Sequence, residues 1–188
     1  MKKIILGIGV AAAFLTLGYA VSNAPEQPTS ENTESNSTAT MTATNTAALT
    51  APRTAPAGYK EYYDAHYRFS LFYPESLTVQ KFDEGGGAAT IIFQNPGEAK
   101  GFQVFVVPYD GEQVSEERFR QDIPSGVRRN VQDVVVDGAK GAAFYSADPI
   151  LGETREVWFI KNGHLFEVTT LKVLEADLLE VLGTWKFI

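Results

Sequence analysis

The sequence predicts an α+β domain in residues 58–188, with an antiparallel β-sheet flanked by helices. Two observations lead to this prediction. Short apolar runs follow one another across turn signals, which is typical of strands joined by hairpins. Only two segments have helical character, and they are inserted among the strands without regular alternation. This order favours an antiparallel sheet over the parallel sheet of a Rossmann-type fold.

The N-terminus has the pattern of an export signal. In residues 1–21, Lys2 and Lys3 precede an uncharged apolar run of 18 residues that we expect to be helical. Gly18 and Ala20 fit the cleavage site of a signal peptide, whereas 18 apolar residues just reach the length of a membrane anchor. With either interpretation the domain is secreted or displayed outside the cytoplasm. The lysines keep the N-terminus on the cytoplasmic side.

Residues 22–57 predict a disordered linker. They are almost all Ser, Thr, Ala, Asn, Pro and Glu, and Met41 and Leu49 are the only large apolar side chains. Such a segment buries too little apolar surface to offset the entropy of ordering. A retained linker suits an anchored protein better than a released one, so we expect a single N-terminal span. We also expect limited proteolysis to remove everything before about residue 58.

The first half of the domain predicts strands that end in one helix. The strands are two short runs separated at Ala65-His66, a run over 77–82, a run over 88–95 after three glycines, and an apolar run over 101–109. Ser115 then has the position of a helix N-cap, and Val114 with Phe119 has the spacing of a hydrophobic staple. Pro124 and Gly126 mark the end of this helix.

The second half predicts two hairpins, a helix and a closing strand. Asp137-Gly138 and Asn162-Gly163 are the residue pairs favoured by two-residue primed turns. At the second turn Phe159 then faces Phe166, and Val157 faces Val168, all on one side of the sheet. Leu174, Leu178, Val181 and Leu182 have helical spacing, Gly183 has the position of a C-terminal cap, and residues 185–187 suit a strand.

These segments resemble the PsbP-like family, which is named for an extrinsic photosystem II subunit and includes exported bacterial domains. The resemblance covers nearly all of residues 59–188. It rests on the runs 67–71 with Tyr73-Pro74, 102–108 with 115–123, 141–145, Asn162-Gly163, and the last helix with 184–187. It implies an antiparallel sheet flanked by helices and a binding or assembly role. Because these positions determine the fold, the resemblance implies no catalytic residue, and photosystem binding is not carried over.

Charge and cysteine content exclude several classes of function. Between residues 58 and 188, 20 acidic residues face 13 basic ones, and the whole chain has a formal charge of −7. Nucleic acid is therefore not expected as a partner. Without cysteine there is no disulfide, thiolate metal site or lipidated cysteine anchor. The acidic groups match no calcium loop, so we expect neither a metal nor a cofactor.

Two functional hypotheses follow. The first is a non-enzymatic binding or assembly module that contacts another envelope protein or an extracellular ligand. Tyr62, Tyr63 and His66 form its candidate surface, because adjacent tyrosines of one strand lie on opposite faces and tyrosine suits recognition. The second is an envelope hydrolase that uses His66 or His164, the two histidines of the chain. No Gly-x-Ser-x-Gly motif accompanies them, so no catalytic residue is assigned.

Overall fold

The computed structural model describes residues 53–123 and 125–188. The predicted export segment 1–21 and the linker residues 22–52 lie outside this part of the chain. Within the described residues, no helix combines the length and the apolar character needed to cross a membrane.

The described residues form ten strands and two α-helices. The strands are β1 (Tyr59–Asp64), β2 (Phe69–Pro74), β3 (Thr78–Gly85), β4 (Ala88–Asn95), β5 (Lys100–Pro108), β6 (Arg129–Val136), β7 (Ala139–Asp148), β8 (Gly152–Lys161), β9 (His164–Leu171) and β10 (Lys186–Phe187). The helices are α1 (Glu116–Asp122) and α2 (Glu175–Gly183), with single 3-10 turns at Pro96–Glu98 and Lys172–Leu174.

The strands form two antiparallel sheets. The smaller has the order β1-β2-β10, and the larger has the order β3-β4-β5-β9-β8-β7-β6. Helix α2 packs on one face of the larger sheet with the smaller sheet, and α1 packs on the opposite face. The predicted α+β class, an antiparallel sheet flanked by helices, is confirmed. The division into two sheets was not predicted.

The hairpin predictions agree with the backbone geometry. Asn162 and Gly163 have φ angles of 51° and 73°, the two positive values that a type I′ turn requires. Phe159 pairs with Phe166 as the turn type demands. The Asp137-Gly138 turn has two positive φ angles as well. Turn chemistry and apolar pattern therefore specify the same register.

The main core lies between the two sheets. Phe69 of β2 stacks on Trp185 with ring centroids 4.4 Å apart, and it meets Phe166 of β9 edge to face at 5.6 Å. Phe159 stacks on Phe166 at 5.4 Å. All four side chains are essentially inaccessible to solvent. Aromatic contacts such as that of Phe69 with Phe166 therefore join the two sheets.

Helix α1 covers a second, smaller apolar cluster. The Ser115 hydroxyl accepts a hydrogen bond from the Arg118 N–H at 3.1 Å, so the predicted N-cap is confirmed. Phe119 stacks on Trp158 at 4.9 Å and meets Phe144 edge to face at 5.6 Å. The helix ends before Ile123, which is its C-terminal cap. Its seven residues are too few to be stable without this packing.

The end of α2 differs from its prediction. Gly183 belongs to the helix and has no positive φ angle, and the cap is Thr184 with φ −95°. The Thr184 hydroxyl donates to the Val181 carbonyl at 2.7 Å and accepts from the Phe72 N–H at 2.8 Å. Because this hydroxyl satisfies the helix end and ties it to β2, no left-handed glycine cap is needed.

Arg53, within the segment predicted as linker, contacts the domain. Its guanidinium lies 4.1 Å from the centre of the Phe72 ring. It donates to the Ser70 hydroxyl at 3.0 Å and to the Thr184 carbonyl at 2.5 Å. Arg53 therefore belongs to the set of residues that contact the folded domain, although it precedes the predicted start of the domain at residue 58.

Candidate functional site

A cleft of about 200 Å³ opens between α2, the start of β5 and one end of the smaller sheet. Its apolar lining is mostly buried and forms the floor: Pro74, Leu77, Phe102, Leu174, Leu178 and Val181. Its charged lining is exposed and forms the rim: Lys100, Asp177 and Glu180. The cleft therefore combines an apolar interior with a polar mouth, as ligand sites commonly do.

The rim carries more negative than positive charge. Asp177 and Glu180 are its carboxylates, and Lys100 already forms an ion pair with Glu98 at 2.9 Å. The Tyr59 hydroxyl donates to Glu180 Oε2 at 3.0 Å, and this hydrogen bond, together with burial, raises the pKa of Tyr59. Among the described residues, Asp177 forms no salt bridge. The two carboxylates therefore outnumber the single cation at this mouth, which favours a cationic ligand.

The start of β5, which lines the cleft with Lys100, Gly101 and Phe102, follows a tight turn after β4. Asn95 caps the 3-10 turn by accepting from the Gly97 N–H at 3.2 Å, and Ala99 has a left-handed backbone with φ 49°. Gly101, at φ 147°, approaches β4 so closely that a Cβ atom there would lie 2.1 Å from the Phe93 carbonyl oxygen. Sequence reasoning missed this turn. The Asn95-Pro96-Gly97 run was the signal that could have found it.

The structure separates the three residues of the predicted surface. Tyr63 is 60% exposed, and His66 is exposed in the turn after β1. Tyr62 instead packs its ring edge to face on Phe93 at 5.2 Å. The two tyrosines do lie on opposite sides of β1, as the strand period requires. Tyr63 and His66 are thus the more exposed members of the predicted surface, and Tyr62 is half-buried.

Asp64 organises the turn beside this surface. Its buried carboxylate accepts from Lys81 Nζ at 2.7 Å, from the Tyr62 hydroxyl at 3.0 Å, and from the N–H groups of His66 and Tyr67 at 3.0 Å. Burial pushes the pKa of Asp64 upward, but the hydrogen bonds from Lys81, Tyr67 and Tyr62 outweigh it and hold that pKa below its ordinary value. Burial also raises the pKa of Tyr62 strongly.

The two histidines both contact the ring of Tyr67. The Tyr67 ring centroid is 4.6 Å from that of His66 and 5.4 Å from that of His164, both edge to face. His164 Nδ1 lies 3.0 Å from the Asn162 carbonyl oxygen. The sequence did not predict that these residues meet. The hydrolase hypothesis stays a prediction, and a His66→Ala/His164→Ala variant would test it.

In the described part of the chain, no group of three or more potential ligands could hold a metal ion.

Comparison with known proteins gives fold-level likenesses. No family model matches the chain, and no curated protein matches it. Cyanobacterial PsbP (CyanoP) from Synechocystis sp. PCC 6803 is similar in structure with a TM-score of 0.49 and 14% identity, over 74% of this chain and 98% of that one. This protein bears the name of the family that the sequence resembles.

A second solved structure, from Bacteroides thetaiotaomicron VPI-5482, is similar with a TM-score of 0.46 and 19% identity. The alignment covers 70% of this chain and 49% of the Bacteroides protein, so the chain spans about half of that protein's length. Both likenesses concern the fold, and no residue role is taken from either.

Proposed function

We propose that the chain is a binding module outside the cytoplasm, tethered to the membrane by its N-terminal segment. Its cleft beside α2 takes a basic side chain, lysine or arginine, of another envelope protein. The observation that supports this proposal is the pairing of an apolar floor with the Asp177 and Glu180 carboxylates at the mouth.

The size and lining of the cleft suit one long side chain. A volume of about 200 Å³ is smaller than the pockets of roughly 300–1,000 Å³ that enclose drug-sized ligands. Lysine and arginine bury their methylene stems on apolar surface while the charged head stays at the edge. Such a stem would contact Leu178 and Val181, and the head would reach Asp177 or Glu180. Charge-assisted hydrogen bonds to these carboxylates would give affinity and orientation.

The charge of the whole chain favours the same class of partner. A formal charge of −7 attracts basic surfaces and speeds their encounter, and salt weakens this attraction. The predicted linker would give the domain reach for a partner near the membrane.

The test is titration of the chain with three capped amino acids, followed by NMR of the Leu178 and Val181 methyl groups. N-acetyl-lysine amide and N-acetyl-arginine amide should shift these methyl signals, whereas the uncharged N-acetyl-norleucine amide should bind about tenfold more weakly. Asp177→Asn/Glu180→Gln should reduce lysine binding by a similar factor. Asp110→Asn/Glu112→Gln, at exposed positions outside the cleft, is the matched control.

Two results would contradict the proposal. Equal binding of norleucine and lysine would show that the carboxylates contribute nothing. Crosslinking in intact cells that recovers only cytoplasmic proteins or nucleic acid would overturn both the location and the class of partner.

A further inference from the structure

A second pocket, of about 290 Å³, lies where the edge strand β6 meets the end of β7 and the 3-10 turn before α2. Its lining is Arg129, Asn130, Tyr145 and Lys172, each of which carries a side-chain hydrogen-bond donor. None of these residues lines the acidic cleft. This pocket is thus a separate site with the opposite character.

The two cations of this pocket already hold a carboxylate. Arg129 donates to Glu153 Oε1 at 2.5 Å, and Lys172 donates to Glu153 Oε2 at 2.9 Å. These hydrogen bonds, first from Lys172 and then from Arg129, lower the pKa of Glu153. The Glu153 side chain is 48% exposed. An accessible oxyanion is therefore bridged by cations from two separate parts of the fold.

Two cations, Lys172 and Arg155, lie against the ring of Tyr145. Lys172 Nζ lies 5.1 Å from its centroid, and the buried Arg155 guanidinium lies 4.8 Å from it. The Tyr145 hydroxyl donates to Glu175 Oε2 at 2.7 Å, and Arg155 Nε lies 3.0 Å from Glu175 Oε1. Three cations thus meet two carboxylates, so the site has a net positive charge within a chain of formal charge −7.

The backbone of β6 is distorted at the same place. The pairing of β6 with β7 shifts between Arg129 and Gln132, which is a β-bulge. Asn130 has a left-handed backbone with φ 53°. Bulges redirect side chains and are frequent beside functional sites, and left-handed residues other than glycine occur where the surroundings hold them. The bulge contributes two adjacent donors, those of Arg129 and Asn130, to the pocket lining.

We propose that this pocket binds a phosphate group, and that Glu153 is an internal competitor that occupies the cations when no ligand is bound. Phosphate fits better than a second carboxylate for two reasons. Its greater charge lets it compete with an intramolecular carboxylate, and its several oxygens can accept from the guanidinium, ammonium and amide donors together. The bound group can belong to free phosphate or to a lipid headgroup.

Because Glu153 competes with the ligand, removing its charge and removing the charge of a cation should change phosphate affinity in opposite directions. The full chain is titrated with inorganic phosphate and separately with chloride, and binding is followed by calorimetry. Glu153→Gln should tighten phosphate binding several-fold, whereas Arg129→Gln and Lys172→Gln should each weaken it about tenfold. Lys140→Gln, at an exposed lysine outside both pockets, should leave phosphate binding unchanged.

A second arm identifies the source of the phosphate. Binding to phosphatidic acid vesicles is compared with binding to phosphatidylcholine vesicles, for the wild type and for Arg129→Gln/Lys172→Gln, so that any contribution of the N-terminal segment cancels. If Arg129→Gln/Lys172→Gln loses binding to phosphatidic acid vesicles and not to phosphatidylcholine vesicles, the bound phosphate belongs to a lipid headgroup. If the chain binds inorganic phosphate but shows no preference for phosphatidic acid vesicles, the bound phosphate is a free solute. Phosphate binding that equals chloride binding, or that is weakened by Glu153→Gln, would overturn the proposal.

Discussion

The two faces of the larger sheet are built from the same strands and differ in chemistry. On the face toward the smaller sheet, β8 and β9 present aromatic and aliphatic side chains: Val157, Phe159, Phe166 and Val168. The alternate residues of the same two strands lie on the face toward α1. They are Glu156 and Trp158 of β8, and Leu165 and Glu167 of β9. All eight side chains are buried. One face is therefore held by apolar volume, and the other combines apolar packing with buried charge.

The buried carboxylates are individually satisfied. Glu156 accepts hydrogen bonds from the Thr154 and Thr169 hydroxyls at 2.7 Å and from the Trp158 indole at 3.3 Å. Glu167 accepts from Arg118 of α1 at 3.2 Å. Buried polar groups need such partners, and partners of fixed geometry restrict which element can lie above them. The comparison teaches that the face toward α1 buries carboxylates beside its apolar cluster, one of which binds Arg118 of α1, whereas the space between the two sheets is filled by apolar side chains.

The largest effect is expected from the apolar face. Phe166→Ala removes a fully buried ring that contacts Phe69, Phe159 and Trp185, and it should lower the free energy of unfolding by about 3–5 kcal/mol. Urea denaturation measures this loss. Phe82→Ala is the matched control, because Phe82 lies on the edge strand β3 and is 45% exposed. Equal losses for the two variants would contradict the assignment of the core to the space between the sheets.

The sequence predicted the apolar face better than the face toward α1. The paired Phe159 and Phe166 follow from the period of a strand and from the Asn162-Gly163 turn, both of which are local. Glu156 and Glu167 gave no signal, because an acidic residue in a strand is ordinarily taken as exposed. Their hydrogen-bond partners include distant residues, Thr169 for the first and Arg118 for the second, which no local pattern identifies.

The candidate sites show the same limit. The spacing of Leu178 and Val181 predicted the inner face of α2, but other lining residues come from the start of β5, far away in the sequence. The grouping of Arg129 with Lys172 likewise depends on the bulge in β6 and on sheet order. Tyr63 and His66 are exposed, whereas Tyr62 is half-buried against Phe93, a contact that no local pattern could identify.

A smaller effect is expected where α1 packs. Phe119→Ala removes the ring that stacks on Trp158, and we expect a loss of about 2–3 kcal/mol, because this cluster is smaller than the main core. Since α1 has only seven residues, it should detach locally. Amide hydrogen exchange should therefore quicken in α1 while β8 and β9 stay protected. Uniform quickening in helix and sheet would show that the two faces unfold as one unit.

The smallest effect, and the only stabilising one, is expected from Glu156→Gln. Burial raises the pKa of Glu156 and outweighs the hydrogen bonds from Thr169, Thr154 and Trp158, which lower it. Because the pKa of Glu156 is higher in the folded state, the contribution of Glu156 to stability is greatest below the ordinary value of about 4.5. This contribution is lost as pH rises through the raised value. Glutamine keeps the size and an acceptor oxygen but carries no charge. The variant should gain of the order of 1 kcal/mol at pH 7, with little change at pH 4.

The pH profile of urea denaturation distinguishes this account from a general effect of removing charge. Glu153→Gln is the matched control on the same strand, because Lys172 and Arg129 lower the pKa of this accessible carboxyl. Its stabilisation is present above the ordinary pKa and is lost at lower pH, so Glu153→Gln should destabilise the chain at pH 7. Part of the pH slope should survive in Glu156→Gln, since burial and the nearby Asp122 carboxylate raise the pKa of Glu167 as well, against the opposing Arg118. If Glu156→Gln destabilised the chain at pH 7, the ionised carboxylate and its three donors would be worth more than the burial costs, and the face toward α1 would owe its stability to that charge.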